Sequence, residues 1–319
     1  MTRVSTVQLP GADVRAVSLE NDHVRVVVLP EVGGMIHQFI HKVSGRDLLY
    51  HHPRLAARPA YYRAPIDDWW AGGVIEGLPS GFACTVAGEQ LPDFGELWSE
   101  PWDVEVMSDE SIRLSCRTRI CPVQMTRVMS LREDDLALRM RHRIDNLSET
   151  PIDILWGIHP TLPVGPRTMI QVPAQTEYLM HDTAGSVPNQ GQPSPFLKGP
   201  RAFSDLATPG QRFSYLTELP ESAWFAVWDD EWRVGMGMIF NGTDLPCTWM
   251  WLIDGWRGLR AVTVEPWMGW PGSLAEAIRV GRARTLAAGG CIETDTAITA
   301  FAPLGPLRGF DAHGKPIAA

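Results

Sequence analysis

One carboxylate, Glu265 in the segment TVEPWMGWPG, has surroundings that suit general-base chemistry. The apolar run before it predicts a strand entering the core, and the prolines and glycines after it predict an irregular segment. Trp267 and Trp270 would partly exclude water from the carboxylate, and desolvation raises the pKa of a carboxyl group towards neutrality. The residue types leave a structural alternative equally open, in which Glu265 caps a loop or pairs with Arg257 or Arg260.

His159, in the segment DILWGIHPTLPVG, is the second candidate. The proline after it favours an extended conformation, so a strand is expected to end at His159 and to present the imidazole at the rim of a sheet. The competing interpretation is a structural histidine. His37 and His41 would share one strand face, with His51 and His52 nearby, but no carboxylate or cysteine stands at ligand spacing. The sequence therefore predicts no metal site, and no phosphate loop, nucleophile elbow or dinucleotide motif predicts a cofactor.

Tryptophan is unusually frequent, with 13 residues against 5 tyrosines. Many tryptophans stand beside polar residues or glycine, in the segments DDWWAGG, GELWSEPW, CTWMWLIDGW and EPWMGW. Flat aromatic faces next to carboxylates and amides can hold sugar rings, whose axial C–H groups pack on the π face. The alternative is that these are large core residues, each needing one partner for its N–H group.

Composition excludes several classes of function. The 319 residues are 45% hydrophobic with a formal net charge of -9, which argues against nucleic acid and anionic membranes, since both need a basic face. No apolar run is long enough for a membrane-spanning helix, and the first residues lack an apolar signal segment, so we expect a cytoplasmic protein. The five cysteines form no Cys-x-x-Cys pair and are expected to be reduced thiols.

Strand patterns dominate the chain. The segments VRAVSL and VRVVVLP flank ENDH, which predicts a hairpin. LALRMRHRI alternates apolar and arginine residues with period two, which predicts a half-buried antiparallel strand with His142 in its apolar row. Only GSLAEAIRVGRARTL predicts a helix, because Ser273 and Glu276 form a capping-box arrangement at its start.

The stretches 51–101 and 181–213 are rich in Pro, Gly and aromatic residues and predict long functional loops. We therefore predict an all-β fold: one large antiparallel β-sandwich domain over residues 1–319, with few short helices and with elaborated loops on one side.

Several of these segments resemble, in the same order, the aldose 1-epimerase (galactose mutarotase) superfamily, and its more divergent members in particular. They are LPEVGGMIHQFIHKVSGRDLLYH, WWAGGVIEGLPS, PDFGELWSEPW, WGIHPTLPVG and VTVEPWMGWPGSLAEAIRVGRARTLAAGG. Together they span most of the chain. The resemblance implies a galactose mutarotase-like supersandwich with a sugar cleft on one face.

The resemblance also implies a reaction, with a small-molecule sugar as the partner. A glutamate before proline takes the proton of the anomeric hydroxyl, and a histidine before proline donates a proton to the ring oxygen; these positions are Glu265 and His159. The ring opens to the free aldehyde and recloses to either anomer without metal or cofactor. We expect the acid and the base on opposite sides of the ring. The predicted substrate contacts are Trp69, Trp70, Gly73, Glu96, Trp98, Asp254, Trp256, Trp267 and Arg63.

The sequence departs from the family pattern at a second histidine, whose place is taken by Phe94. Catalysis would then rest on His159 alone, or Asp93 or Glu96 would substitute. The family arginine that helps to hold the sugar has only Arg63 as a counterpart.

Two other functions fit the same residues. One is a non-catalytic carbohydrate-binding or sensing protein with this fold, which the missing histidine favours. The other is a glycoside-cleaving enzyme that pairs Glu265 with Asp254, Glu96 or Asp93, because glycosidases need two carboxylates at a set separation. Net acidity favours a neutral sugar over a phosphorylated one, and exposed aromatic residues leave a homodimer open.

Overall fold

Two antiparallel sheets contain most of the strands in a computed structural model that describes residues 2–8, 14–183 and 190–319. Side chains alternate between the two faces of a strand, so each period-two segment buries at least one face. The described strands, in chain order, are β1 (Arg3–Val7), β2 (Ala16–Glu20), β3 (Val24–Leu29), β4 (Met35–His41), β5 (Arg46–Asp47), β6 (Val74–Gly77), β7 (Cys84–Val86), β8 (Glu89–Leu91), β9 (Asp103–Ser108), β10 (Ser111–Arg117), β11 (Val123–Ser130), β12 (Ala137–Asn146), β13 (Ile152–Ile154), β14 (Gly157–Pro163), β15 (Thr168–Gln171), β16 (Thr176–Asp182), β17 (Pro193–Pro195), β18 (Arg201–Ala202), β19 (Gly210–Thr217), β20 (Ser222–Asp229), β21 (Val234–Asn241), β22 (Cys247–Asp254), β23 (Arg260–Trp267), β24 (Arg284–Leu286), β25 (Cys291–Phe301), β26 (Leu307–Phe310) and β27 (Pro316–Ala318). The helices are α1 (Ile66–Trp69), α2 (Phe203–Leu206) and α3 (Leu274–Arg279), with a 3₁₀ turn at Trp256–Gly258.

The first sheet has 12 strands in the order β1-β2-β3-β4-β6-β14-β23-β22-β19-β16-β17, with β5 paired to β4. The second has 9 strands in the order β18-β15-β20-β21-β25-β12-β11-β10-β9. In the first sheet β14 lies between β6 and β23, which are far from it in sequence. This long-range pairing brings the middle and the C-terminal part of the chain side by side. The architecture is the predicted all-β antiparallel sandwich with few short helices.

The first sheet carries apolar side chains on both of its faces. Val26 and Val264 from this sheet join Leu114 and Met140 from the second sheet in one apolar core, which lies between the two sheets. On the opposite face, Trp249 belongs to a separate apolar cluster. A functional cleft on that opposite face can therefore be dry.

A buried ion pair crosses the core between the sheets. Arg127 of β11 donates from Nη1 to Oε1 of Glu76 on β6 at 2.5 Å, and both side chains are 1% exposed. Glu76 Oε2 accepts from the indole of Trp156 at 2.9 Å, and Arg127 also donates to the backbone carbonyl of Gly34. His142 lies beside the pair, as expected for a core histidine, and burial lowers its pKa to about 4. These bonds compensate charges that the apolar core would otherwise exclude.

Several local predictions are confirmed. The hairpin around ENDH is β2 with β3, and the alternating arginine segment is β12. Ser273 caps α3 by accepting from the backbone N–H of Glu276 at 3.4 Å. The helix is shorter than the sequence pattern suggested, because Gly281 follows it with a φ of 69° and the chain then turns into β24.

Two predictions about chain path are wrong. The strand that carries His159 does not end there, because β14 continues to Pro163 and pairs with β6 as far as Pro160. The stretches 51–101 and 181–213 are not long loops throughout: they contain α1, β6, β7, β8, β17, β18 and α2 and the start of β19. Residues 184–189 of the second stretch lie outside the described residues. In the described ranges no helix is long and apolar enough to cross a membrane.

Removing Arg127 while leaving Glu76 should strongly destabilise the fold. The variant Arg127→Met strands a carboxylate between the sheets, and breaking a buried pair in this way costs about 3–5 kcal/mol. The free energy of unfolding from urea titration measures the effect. The double variant Arg127→Met/Glu76→Gln, which removes both charges, should regain most of the loss. A single variant as stable as the wild type would show that the pair does not stabilise this core.

Candidate active site

A cleft of ≈ 300 Å³ opens on the face of the first sheet that is turned away from the second sheet. Successive side chains of a strand point to opposite faces of the sheet. On β23, Val264 points into the core between the sheets, so Glu265, the next residue, points into the cleft on the other face. The lining residues are Ile66, Asp67, Trp70, Gly81, Phe82, Asp93, Phe94, His159, His181, Gln211, Phe213, Trp249, Trp251, Trp256 and Glu265. Seven of these fifteen are Trp or Phe, so the cleft has the apolar walls of a ligand site with a few polar groups.

His159 and Glu265 lie where the ladder between β14 and β23 is interrupted. These strands pair on either side of this point, but residues 158–160 and 264–266 are not paired with each other. Each of these intervals ends in a proline, which has no N–H group to contribute to a ladder. The two residue-before-proline motifs of the sequence therefore meet at one opening in the sheet.

Glu265 is held in a fixed orientation by its neighbours. Its Oε1 accepts from the hydroxyl of Thr263 at 2.7 Å, and its Oε2 accepts from the indole N–H of Trp267 at 3.1 Å. Burial raises the pKa of Glu265, opposed in part by His159, Thr263 and Trp267. The side chain is 3% exposed, so its charged form is not solvated and can act as a base.

His159 contacts this carboxylate directly. Its Nε2 lies 3.6 Å from Oε1 of Glu265, and its Nδ1 lies 3.3 Å from the hydroxyl of Thr161. A hydroxyl can donate or accept, so Thr161 can accommodate the neutral and the protonated imidazole. The expectation that the acid and the base lie on opposite sides of a sugar ring is wrong, because the register of β14 against β23 sets His159 opposite Glu265 and in contact with it.

Aromatic rings fix the pair from several sides. The rings of Phe94 and Trp70 stand edge-on to the imidazole of His159, with centroids 5.3 Å and 6.0 Å away. Trp267 stacks on Trp249 at 3.9 Å with an interplanar angle of 7°. This stack fixes the position of the Trp267 indole, whose N–H group donates to Glu265. The aromatic segments of the sequence thus provide both the walls of the cleft and the support of the carboxylate.

Five of the predicted catalytic and substrate-contact residues are gathered at this site. Glu265, His159, Trp70 and Trp256 line the cleft, and Trp267 lies behind it as the donor to Glu265. Phe94, in the place of the expected second histidine, also lines the cleft but has no polar group to offer. The roles of these residues in binding and catalysis stay predictions.

Glu96 lies away from the cleft. It is fully buried, and its carboxylate accepts from the backbone N–H groups of Arg119, Ile120 and Cys121 at 2.7, 2.9 and 3.0 Å. These bonds hold the turn between β10 and β11. Because the accepting oxygens are occupied by the backbone, Glu96 is placed to support the fold and not to contact a sugar in the cleft.

The other predicted contacts also lie outside the cleft lining. Trp69 packs under the guanidinium of Arg58, and Trp98 donates to the carbonyl of Asp93 at 3.3 Å. Three further residues have structural partners: Gly73 has a φ of 71° and pairs with the backbone of Tyr50, Arg63 donates to the carbonyl of Gln90, and Asp254 pairs with Arg260 at 3.2 Å.

Several lining residues were not predicted from the sequence. Gln211 and Phe213 alternate on β19, which begins inside a stretch that its composition suggested was irregular. The spacing of two between Gln211 and Phe213, which is typical of one face of a strand, is the sequence feature that could have identified them. His181 at the end of β16 and Phe82 after β6 had no distinguishing pattern, because only the folded sheet brings them to the cleft.

The comparisons with known proteins agree with this architecture. A family model described as "Domain of unknown function (DUF5107)" matches residues 7–87. A Klebsiella pneumoniae protein provisionally named an aldose 1-epimerase is 13% identical with a TM-score of 0.73, over 93% of this chain and 83% of that one. Galactose mutarotase-like proteins from Lactobacillus casei and Clostridium acetobutylicum are 15% and 8% identical, with TM-scores of 0.66 and 0.67. The matches cover 89% and 95% of this chain and 99% of each of those chains. The chain thus has the galactose mutarotase-like fold, at low sequence identity to these structures.

The variant Glu265→Gln should be more stable than the wild type at neutral pH. Burial raises the folded-state pKa of Glu265 above its usual 4.5, so its contribution to stability is present below 4.5 and is lost as the pH rises through the raised value. The neutral amide does not undergo this loss. Urea unfolding of both proteins across this range should show an advantage of the variant that grows with pH. A variant that is less stable at neutral pH would contradict the effect of burial.

Proposed function

We propose that this protein interconverts the anomers of a free aldose by opening and reclosing the sugar ring. The observation that carries the proposal is the contact between Glu265 Oε1 and His159 Nε2, 3.6 Å apart in a cleft walled by aromatic rings. The shared fold with proteins named galactose mutarotase-like adds support at the level of architecture.

The chemistry follows from the positions of the two side chains. The anomeric hydroxyl and the ring oxygen of an aldose are bonded to the same carbon, so a base and an acid that lie in contact can reach one each. Glu265 takes the proton of the anomeric hydroxyl while protonated His159 donates a proton to the ring oxygen. The bond between C1 and the ring oxygen breaks, and a free aldehyde forms. After rotation about the C1–C2 bond, the two transfers run in reverse and give either anomer.

The walls of the cleft suit this reaction. Trp251 and Trp256 present aromatic surface on which the C–H face of a sugar ring can pack, and their indole rings are 5.4 Å apart. Gln211, which accepts from the indole of Trp251 at 3.0 Å, has an amide group that can bond to sugar hydroxyls. Both transfers are completed by protein side chains, so the reaction as proposed requires no added group.

A non-catalytic sugar-binding protein is the second candidate, favoured by Phe94. This ring lines the cleft at 5.3 Å from His159 and cannot donate a hydrogen bond to a sugar. Glycoside cleavage has less support. Of its three proposed carboxylate partners for Glu265, Glu96 and Asp254 lie outside the cleft lining, and only Asp93 is within it.

Anomer equilibration tests the proposal directly. Polarimetry or saturation-transfer NMR over a panel of aldoses should show acceleration by the wild type. Glu265→Gln and His159→Ala should each lower the rate by about 10²-fold or more, which is the range of general acid–base catalysis. Glu89→Gln, which changes an exposed carboxylate on β8, should retain the wild-type rate.

One combination of results would contradict the epimerase proposal. If no sugar equilibrates faster with the wild type, yet sugar binding is measurable and persists in Glu265→Gln, the epimerase proposal is wrong and the binding protein replaces it.

A further inference from the structure

The polar groups of the cleft have a marked charge bias. Three carboxylates line it, from Asp67, Asp93 and Glu265, and its described lining contains no lysine or arginine. Apart from the imidazoles of His159 and His181, the ionisable groups of the lining are carboxylates, which a phosphate or carboxylate on a sugar would meet as like charge. The charge of the lining therefore bears on which sugars the cleft admits.

Asp67 and Asp93 approach the cleft from different parts of the fold. Asp67 belongs to α1, and Asp93 stands just after β8 and before Phe94. Both line the same cleft, and burial, with the charge of Asp67 as a smaller contribution, raises the pKa of Asp93. Two carboxylates that repel each other in this way gain from a cation between them.

Neither carboxylate is fully neutralised by the protein. The guanidinium of Arg257 is 3.9 Å from Asp67, but it lies closer to Asp68, at 3.0 Å, and it is not part of the cleft lining. In the described part of the chain no ion pair includes Asp93, and burial outweighs the lowering of its pKa by the backbone N–H groups of Ala83 and Phe94. Negative charge thus remains available in the cleft.

Two further features of the walls point to a ligand. Trp70 is 5% exposed and lines the cleft, and its indole N–H has no hydrogen-bond partner among the described residues. Aromatic faces, here including Phe213 and Trp251, attract cations through the negative potential of the ring face. A combination of aromatic faces and carboxylates is how proteins recognise organic ammonium groups.

We propose that the sugar bound in this cleft carries a protonated amino group, which lies between Asp67 and Asp93 while its C1 faces Glu265 and His159. The inference rests on the proposed function, and it names the class of substrate for that site: an amino sugar in preference to a neutral sugar, with anionic sugars rejected.

The test compares four probes with the intact protein: glucosamine, glucose, N-acetylglucosamine and glucose 6-phosphate. Binding is measured by tryptophan fluorescence or calorimetry and anomer exchange by saturation-transfer NMR, at a pH where the amine of glucosamine is protonated. The wild type should favour glucosamine over glucose by about tenfold, comparable to one charge-assisted contact. N-acetylglucosamine, which has no charge, should lose this advantage, and glucose 6-phosphate should be the weakest.

Asp93→Asn and Asp67→Asn should each reduce the ratio of glucosamine to glucose, and Asp109→Asn, an exposed carboxylate between β9 and β10, should not. The ratio is independent of the fraction of folded protein, so a destabilised variant remains informative. Equal handling of glucosamine and glucose by the wild type, or an equal loss for both sugars in Asp93→Asn, would overturn the proposal. Preferential binding of glucosamine without any accelerated exchange would uphold the substrate class and refute the reaction.

Discussion

The contact between a buried carboxylate and an imidazole is the interaction on which the rest of this site depends. Glu265 and His159 lie 3.6 Å apart because the register of β14 against β23 sets them opposite each other, at a point where the ladder is open and each open interval ends in a proline. The surrounding bonds from Thr263, Trp267 and Thr161 orient both groups. In the proposed reaction, a sugar whose C1 enters this opening would meet the base and the acid together.

Burying the Glu265 carboxylate away from water lowers the stability of the fold, because a charged group loses its hydration. Packing of the surrounding side chains offsets this loss. The Trp249–Trp267 stack covers the carboxylate from behind, and the first sheet is buried on both faces. A second buried charge, the pair of Glu76 and Arg127, crosses the core between the sheets and joins β6, the neighbour of β14, to the second sheet. Site and core therefore share one constraint, which is that every buried charge needs a fixed partner.

The sequence predicted the parts of this molecule that depend on local pattern. Alternation predicted β12 and the β2–β3 hairpin, and the motifs before proline picked out Glu265 and His159, which the fold brings together. It could not locate partners that are distant along the chain. Glu96 stands in a tryptophan-rich segment and was predicted to contact a sugar. In the structure its carboxylate accepts from backbone N–H groups of the β10–β11 turn. Likewise Gln211 and Phe213 reach the cleft only because β19 pairs with β22.

The most direct test of the central claim is a crystal structure of Glu265→Gln with an aldose bound. The sugar should lie in the aromatic cleft, with its anomeric oxygen within hydrogen-bond distance of the side chain at position 265 and its ring oxygen within that distance of His159 Nε2. A sugar bound with C1 directed away from both side chains would contradict the proposed roles of Glu265 and His159, as would a sugar held at another surface while the cleft binds none.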